Sequence, residues 1–290
     1  MERIKESELI ITPDGSIYHL NLKPGDIARN IILVGDPGRV PKISKYFDKI
    51  LLQRQNREMV THTGLLNGKT ISVISTGMGT DNIDIVMNEL DALVNIDFEK
   101  RQVREKLTSL NIVRLGTSGA IRPEIPVNTV LASTHGIGLD GLLKFYRSEN
   151  ILDNRISRAF IEQTQWNDDL PFPYVVPCSD KLMNTIGKEL NAGMTATAPG
   201  FYGPQGRVLR IPLQHPRLME RLRYFEFEGK KIVNFEMETS ALYGLGKILG
   251  HHTLTVCAVI ANRATNTYSE DYRPVIDRLI KLVLDRFSRL

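Results

Sequence analysis

The stretch "NIILVGDPGRV", residues 30–40, decides the fold. Ile31 to Val34 form an unbroken apolar run rich in β-branched residues, the pattern of a strand buried on both faces rather than of an amphipathic helix. Gly35 stops the run, Asp36-Pro37-Gly38 makes a turn, and "VPKISKYF" (40–47) then reads as a helix. A strand that passes through a glycine turn into a helix is the building unit of α/β folds.

The unit recurs further along the chain. "EMVTHTGLLNGKTISVISTGMG" (58–79) holds two β-rich runs around Asn67-Gly68, a strong hairpin signal, and ends in a glycine loop ahead of the helical "NIDIVMNELDALVN" (82–95). "NIVRLGTSGAI" (111–121) and "NTVLASTHGIG" (128–138) read as strands, and residues 156–166 and 180–191 as helices. "KIVNFEMET" (231–239) reads as strand into helix, "HTLTVCAVIANR" (252–263) as strand into loop, and "RPVIDRLIKLVLDRFSRL" (273–290) as an amphipathic helix. No repeat or linker divides the chain. The expectation is one α/β domain over residues 1–290, with a largely parallel or mixed sheet; residues 140–180 are the least regular part.

The bulk properties agree. At 290 residues and 42% hydrophobic content the chain can bury a sizeable core. A net charge of +4, spread along the sequence, suits small anionic ligands better than nucleic acid or a membrane. Cys178 and Cys257 are far apart, with no cysteine or histidine cluster, so neither disulfides nor a metal site is expected and a reducing, cytoplasmic setting is. The first residues lack an apolar signal segment, and no apolar stretch approaches membrane-spanning length.

Open α/β sheets place ligands in the loops at the carboxyl ends of strands, and the unusual residues of this chain fall there. "GLLNGKT" imitates a phosphate loop, but its glycines are one residue too close and a strand comes next where a helix is needed. "GDPGRV" pairs Gly35 with Arg39, a reasonable anion site and also an ordinary turn. Arg114 lies within an apolar strand, so it needs an anionic partner, either a structural carboxylate or a ligand phosphate. Glu236 and Glu238 flank Met237 where strand turns into helix: acid/base pair, metal ligands, hydroxyl acceptors and solvated helix-start charges all fit the pattern. Residues two apart converge on one pocket only in extended or turning backbone, so a sugar clamp requires "NFEMET" to stay extended through Glu238. The bland alternative has Glu238 or Thr239 capping the helix.

With these loops in view, the sequence resembles the uridine phosphorylases of nucleoside phosphorylase family I, a group that also holds purine nucleoside phosphorylases and nucleosidases. The motifs "YHLNL", "GDPGRV", "NREM", "STGMG", "RLGTSGAI", "FYGPQGR", "NFEMET" and "VIANR" occur in family order over nearly the whole chain, and "FYGPQGR" with "ANR" is specific to the pyrimidine branch. The resemblance implies a central mixed sheet, partly barrel-like and flanked by helices. It implies phosphorolysis of a pyrimidine nucleoside, uridine and phosphate giving uracil and ribose 1-phosphate, with phosphate as co-substrate and no cofactor.

By residue, the resemblance assigns phosphate to Gly35, Arg39, Arg114 and Thr117, with Arg57 supplied by a neighbouring subunit. It assigns the nucleoside to Thr117, Glu236, Met237 and Glu238 at the ribose, His19 from the partner at the 5′-hydroxyl, and Phe201, Gln205, Arg207 and Arg263 at the base. Arg207, Gln205, Arg114 and Glu236 are then the expected catalytic set, and a homo-oligomer built from site-sharing dimers is implied. Asn262 stands where the purine branch has a proton-donating aspartate. Asn82 stands where the bacterial pattern has a serine that helps bind potassium beside a glutamate like Glu58, which weakens the case for a monovalent cation. The alternatives are a purine phosphorylase, a nucleosidase that uses water, and a non-catalytic nucleoside-binding relative.

Overall fold

A computed structural model describes residues 2–290. Strand β1 (Asn30–Val34) lies between two parallel neighbours and is buried from Ile31 onward, as its continuous apolar run requires. Helix α1 (Arg39–Ser44) comes next. Strands β2 (Lys49–Asn56), β3 (Met59–Leu66) and β4 (Lys69–Ser75) form an antiparallel meander. The β3–β4 turn has Asn67 at φ 51° and Gly68 at φ 75°, the two positive values of a type I′ hairpin, so "GLLNGKT" is a turn. Edge strand β2, largely exposed, has no clear alternation in sequence and is not among the expected strands.

Helix α2 (Thr80–Asn95) leads into a small hairpin, β5 (Ile96–Asp97) with β6 (Gln102–Val103). Arg101, at its turn, is buried against the N-terminal arm: Nε donates to the carbonyl of Ile4 at 3.2 Å and Nη2 to those of Lys5 and Leu9. The charged 95–110 stretch thus holds the chain's own first residues.

The remaining elements are β7 (Asn111–Ala120), β8 (Val130–Gly138), α3 (Asn154–Thr164), β9 (Tyr174–Pro177), α4 (Asp180–Thr185), β10 (Asn191–Thr197), α5 (Leu218–Tyr224), β11 (Glu226–Phe227), β12 (Lys230–Glu236), α6 (Thr239–Ile248), β13 (His252–Asn262), β14 (Thr267–Tyr268) and α7 (Arg273–Phe287). The helix expected over 180–191 ends at Thr185, and from Asn191 the chain runs as β10. Sheet order is β11-β12-β10-β8-β13-β7-β1-β4-β3-β2, and β12 also pairs with β7 through Asn234 opposite Ala120 and Phe235 opposite Gly119. That extra pairing closes β7, β13, β8, β10 and β12 into a five-stranded mixed barrel, from which β1, β4, β3 and β2 extend as an open wing. Helix α6 packs between α2 and the barrel, with its residues from Thr239 to Gly246 all buried. Among the described residues no helix is long and apolar enough to cross a membrane, and no group of His, Cys, Asp and Glu side chains is arranged for a metal.

Candidate active site

Strand β12 ends at Glu236 and α6 begins at Thr239, so the backbone leaves the extended form two residues earlier than a clamp extended through Glu238 requires; Glu238 has φ −137° and ψ −27°. The reason is a cap made by the first acid. The Glu236 carboxylate accepts from the backbone N–H groups of Glu238 at 3.0 Å and Thr239 at 3.0 Å, an anion seated at the positive end of the helix. The capping expected of Glu238 or Thr239 is done by Glu236.

Both carboxylates nonetheless converge, and they converge on Arg114. Its Nη1 lies 3.2 Å from Glu236 Oε2, and its Nη2 donates to Glu238 Oε2; all three side chains are buried. The other oxygen of Glu238 accepts from Gly79 N–H at 2.9 Å, which ties the "STGMG" loop to the same cluster. Carboxylates thus meet both terminal nitrogens of Arg114, while its buried Nε has no hydrogen-bond partner among the described residues. Gly116 makes the seat: a Cβ there would stand 2.3 Å from Arg114 Nη1 and 2.9 Å from Cys257 Sγ, so only glycine lets the guanidinium fold back beside the thiol.

The electrostatics are set by this burial. Desolvation alone would lower the Arg114 pKa, but Glu238 and Glu236 overcome it and raise it. For Glu236 burial dominates, and together with the Glu238 charge it outweighs the help of Arg114, pushing the carboxyl up to about 7. The Cys257 thiol is likewise pushed up to about 12, chiefly by burial. Arg39 reaches the same region by donating from Nη1 to the carbonyl of Leu115 at 3.1 Å, and burial lowers its pKa. Gly35 lies against the second glycine loop, where a Cβ would stand 3.3 Å from the carbonyl of Gly77. Thr117 is half-buried on β7, two residues beyond Leu115.

A second group is built on the turn Gly203–Gln205. Arg207 Nη1 donates to Gln205 Oε1 at 2.7 Å and to the carbonyl of Phe201 at 2.6 Å, with its guanidinium 3.7 Å over the Phe201 ring. Burial, with the charge of Arg263, lowers the Arg207 pKa. Arg263 donates to the carbonyls of Gln205 at 3.1 Å and Gly206 at 3.3 Å, and its own N–H bonds the carbonyl of Ala120, which anchors this group to the end of β7. Asn262 is fully occupied: its amide donates to the carbonyls of Arg122 at 2.8 Å and Ile125 at 2.7 Å and accepts from the N–H groups of Ala264 and Thr265. An apolar cavity of about 290 Å³ behind this turn is lined by Trp166, Pro204 and Met219 among others, and none of the Arg114 cluster lines it.

His19 and Arg57 stand in a third group, on the wing. His19 Nδ1 is 2.6 Å from Glu89 Oε1, and the exposed Arg57 lies 5.9 Å over the Tyr18 ring. Asn82 donates to Glu58 Oε1 at 3.4 Å. Met237 is half-buried between the two acids. Three contributors escape a reading of the sequence: Gly116, inside a quoted motif but without a stated role; Cys257, noted only as one of two distant cysteines; and Thr197, on the unexpected strand β10, whose hydroxyl donates to Glu236 Oε1 at 2.8 Å.

Comparison with known proteins gives a consistent picture. The family model described as "Phosphorylase superfamily" matches residues 29–287. A uridine phosphorylase of Thermococcus kodakarensis is 33% identical over 93% of this chain and 86% of its own. A purine nucleoside phosphorylase of the DeoD type from Bacillus velezensis is 27% identical over 93% of this chain and 99% of its own. Among solved structures, a Trypanosoma brucei nucleoside phosphorylase described as showing uridine phosphorylase activity superposes with a TM-score of 0.88 at 32% identity, covering 97% of this chain and all of its own.

Proposed function

The chain belongs to the phosphorylase superfamily, and on that premise we infer that it is a pyrimidine nucleoside phosphorylase, a pentosyltransferase that converts uridine and phosphate to uracil and ribose 1-phosphate. The observation that carries the reading is the Arg114 cluster: a buried guanidinium between two carboxylates, with Arg39 and two glycine loops at its side. A phosphate oxygen attacks C1′, the C1′–N1 bond breaks, and its electron pair leaves with the base. Arg39, Arg114, Thr117 and the Gly35 backbone hold phosphate; Glu238, Met237 and Glu236 face the ribose, where negative charge favours the cationic transition state. Gln205, whose carbonyl Arg263 holds, and Arg207, stacked on Phe201, donate to the base as it gains negative charge. Phosphate is a co-substrate, and no resident cofactor is needed for these steps.

His19 and Arg57, grouped apart on the wing, serve the site of a neighbouring copy, so the active unit is a homodimer or an assembly of dimers. Two free, buried cysteines suit a reducing, cytoplasmic setting. The commitment of Asn262 to four backbone partners leaves it no group to protonate a purine, which favours the pyrimidine reading over a purine enzyme. The deciding measurement is the ultraviolet absorbance change of uridine with and without inorganic phosphate. Turnover only with phosphate is expected; equal rates without it mean a nucleosidase, and a panel with inosine and adenosine tests the base.

A further inference from the structure

Thr197 is not among the residues assigned to phosphate or base, yet its hydroxyl bridges Glu236 to Ser240 in the first turn of α6. Its Oγ1 accepts the backbone N–H of Ser240 at 3.0 Å and lies 2.8 Å from Glu236 Oε1. Because the Ser240 N–H is an obligate donor, the hydroxyl accepts on that side and turns its own proton to the carboxylate. Behind it, Ser240 Oγ donates to Asp140 Oδ2 at 3.0 Å, and Tyr174 Oη donates to both oxygens of Asp140, at 2.8 and 2.9 Å. Gly136 permits the approach: a Cβ there would lie 2.7 Å from Ser240 Cα and 2.8 Å from its nitrogen. The chain of bonds therefore runs from Asp140 through Ser240 and Thr197 to Glu236 and ends on Arg114.

We propose that Thr197 is a positioning residue for the reaction: its hydroxyl, fixed as a donor by Ser240, holds the Glu236 carboxylate in the orientation that meets Arg114. The proposal rests on the reading of Glu236 as part of a nucleoside phosphorolysis site. Among the described residues, the Glu236 carboxylate is met by the N–H groups of Glu238 and Thr239, by Arg114 and by Thr197, whose hydroxyl is the one uncharged side-chain donor of the set. Among the described residues, the titratable groups that act on the carboxylate or feel its charge are Arg114 on β7, Glu238 in the connecting turn, Cys257 on β13, Tyr174 on β9 and Tyr243 on α6; a second cation, Arg39, stands one step further out, against Arg114 and Cys257. Loss of the hydroxyl therefore leaves the ionised carboxylate with one donor fewer.

The test compares Thr197→Val with Thr197→Ser, following uridine phosphorolysis from pH 5 to 9 and thermal unfolding over the same range. In Thr197→Val the acidic limb of kcat/KM moves to higher pH, with a loss of about tenfold at pH 6. Thr197→Ser stays within about twofold of the unsubstituted chain, because it keeps the donor. Should the valine variant fail to fold, Thr197→Ala is read in the same way, since it removes the hydroxyl without adding volume. An unshifted acidic limb, or the same loss in the serine variant, overturns the proposal. If the unsubstituted chain does not turn over uridine, the functional reading fails separately. The positioning role is then judged by unfolding: the stability lost with rising pH extends to higher pH in the valine variant than in the serine variant, and coincident curves overturn it.

Discussion

Glu236 is an acid held where its charged form is disfavoured. Burial, with the charge of Glu238, pushes its carboxyl from the ordinary 4.5 up to about 7. Between those values the native state holds a proton that the unfolded chain has released, so this group's contribution to stability is present at low pH and is lost as pH rises through about 7. The same ionisation that weakens the fold creates the carboxylate Arg114 requires. Thermal unfolding of the unsubstituted chain and of Glu236→Gln, followed from pH 5 to 8, is expected to show the first losing stability relative to the second, while kcat/KM of the first rises through an acidic limb near pH 7. Parallel unfolding curves would mean that Glu236 titrates normally. Gly116 makes the matching steric point: Gly116→Ala places a methyl 2.3 Å from Arg114 Nη1 and forces the guanidinium off its carboxylates. A destabilisation of about 2–4 kcal/mol and a drop in kcat of at least about a hundredfold are expected, read from denaturant unfolding and steady-state rates.

At the scale of elements, what sequence makes legible is what local physics determines. β1, the Asn67-Gly68 hairpin, α2, β7, β8, β13 and α7 carry their own periodicity or turn chemistry, and all form. Strand β10, "NAGMTAT", does not: Asn, Ala and Gly are poor strand formers, and the segment is a strand because β8 and β12 flank it in parallel and bury it. With β10 hidden, Thr197 and the barrel closure are hidden too, since both depend on pairings distant in sequence. Likewise the early end of β12 is set by a carboxylate reaching forward to the helix, which a strand pattern does not encode. The loop after β13 offers a test of element-level design. Asn262→Asp keeps the acceptor for Ala264 and Thr265 but removes both donors and turns an anionic oxygen toward the carbonyls of Arg122 and Ile125. A loss of about 2–4 kcal/mol in denaturant unfolding is expected, without any gain of inosine or adenosine cleavage. Purine turnover in a variant of unchanged stability would show that the loop tolerates the acid and that base choice resides at this one position.

At the scale of the whole molecule, the placement of His19 and Arg57 bears on assembly. The exposed Arg57 occupies a positive-φ turn between β2 and β3 and rests on Tyr18, while Arg114 is buried in the barrel strand β7. If Arg57 serves a neighbouring copy, the two arginines of one working site come from different chains, and variants of each are complementary. Arg57→Ala and Arg114→Ala are each expected to lose nearly all uridine phosphorolysis when assembled alone. Co-refolded in equal amounts, random pairing makes half of the dimers mixed, and each mixed dimer contains one site with Arg114 from one chain and Arg57 from the other. The mixture should therefore recover about a quarter of the activity of the unsubstituted protein. Recovery of none, with size-exclusion and light-scattering evidence that mixed dimers form, would place Arg57 within its own chain's site or outside the chemistry altogether. Either way, phosphate binding would no longer depend on a residue crossing between chains, and the dimer would be separate from catalysis.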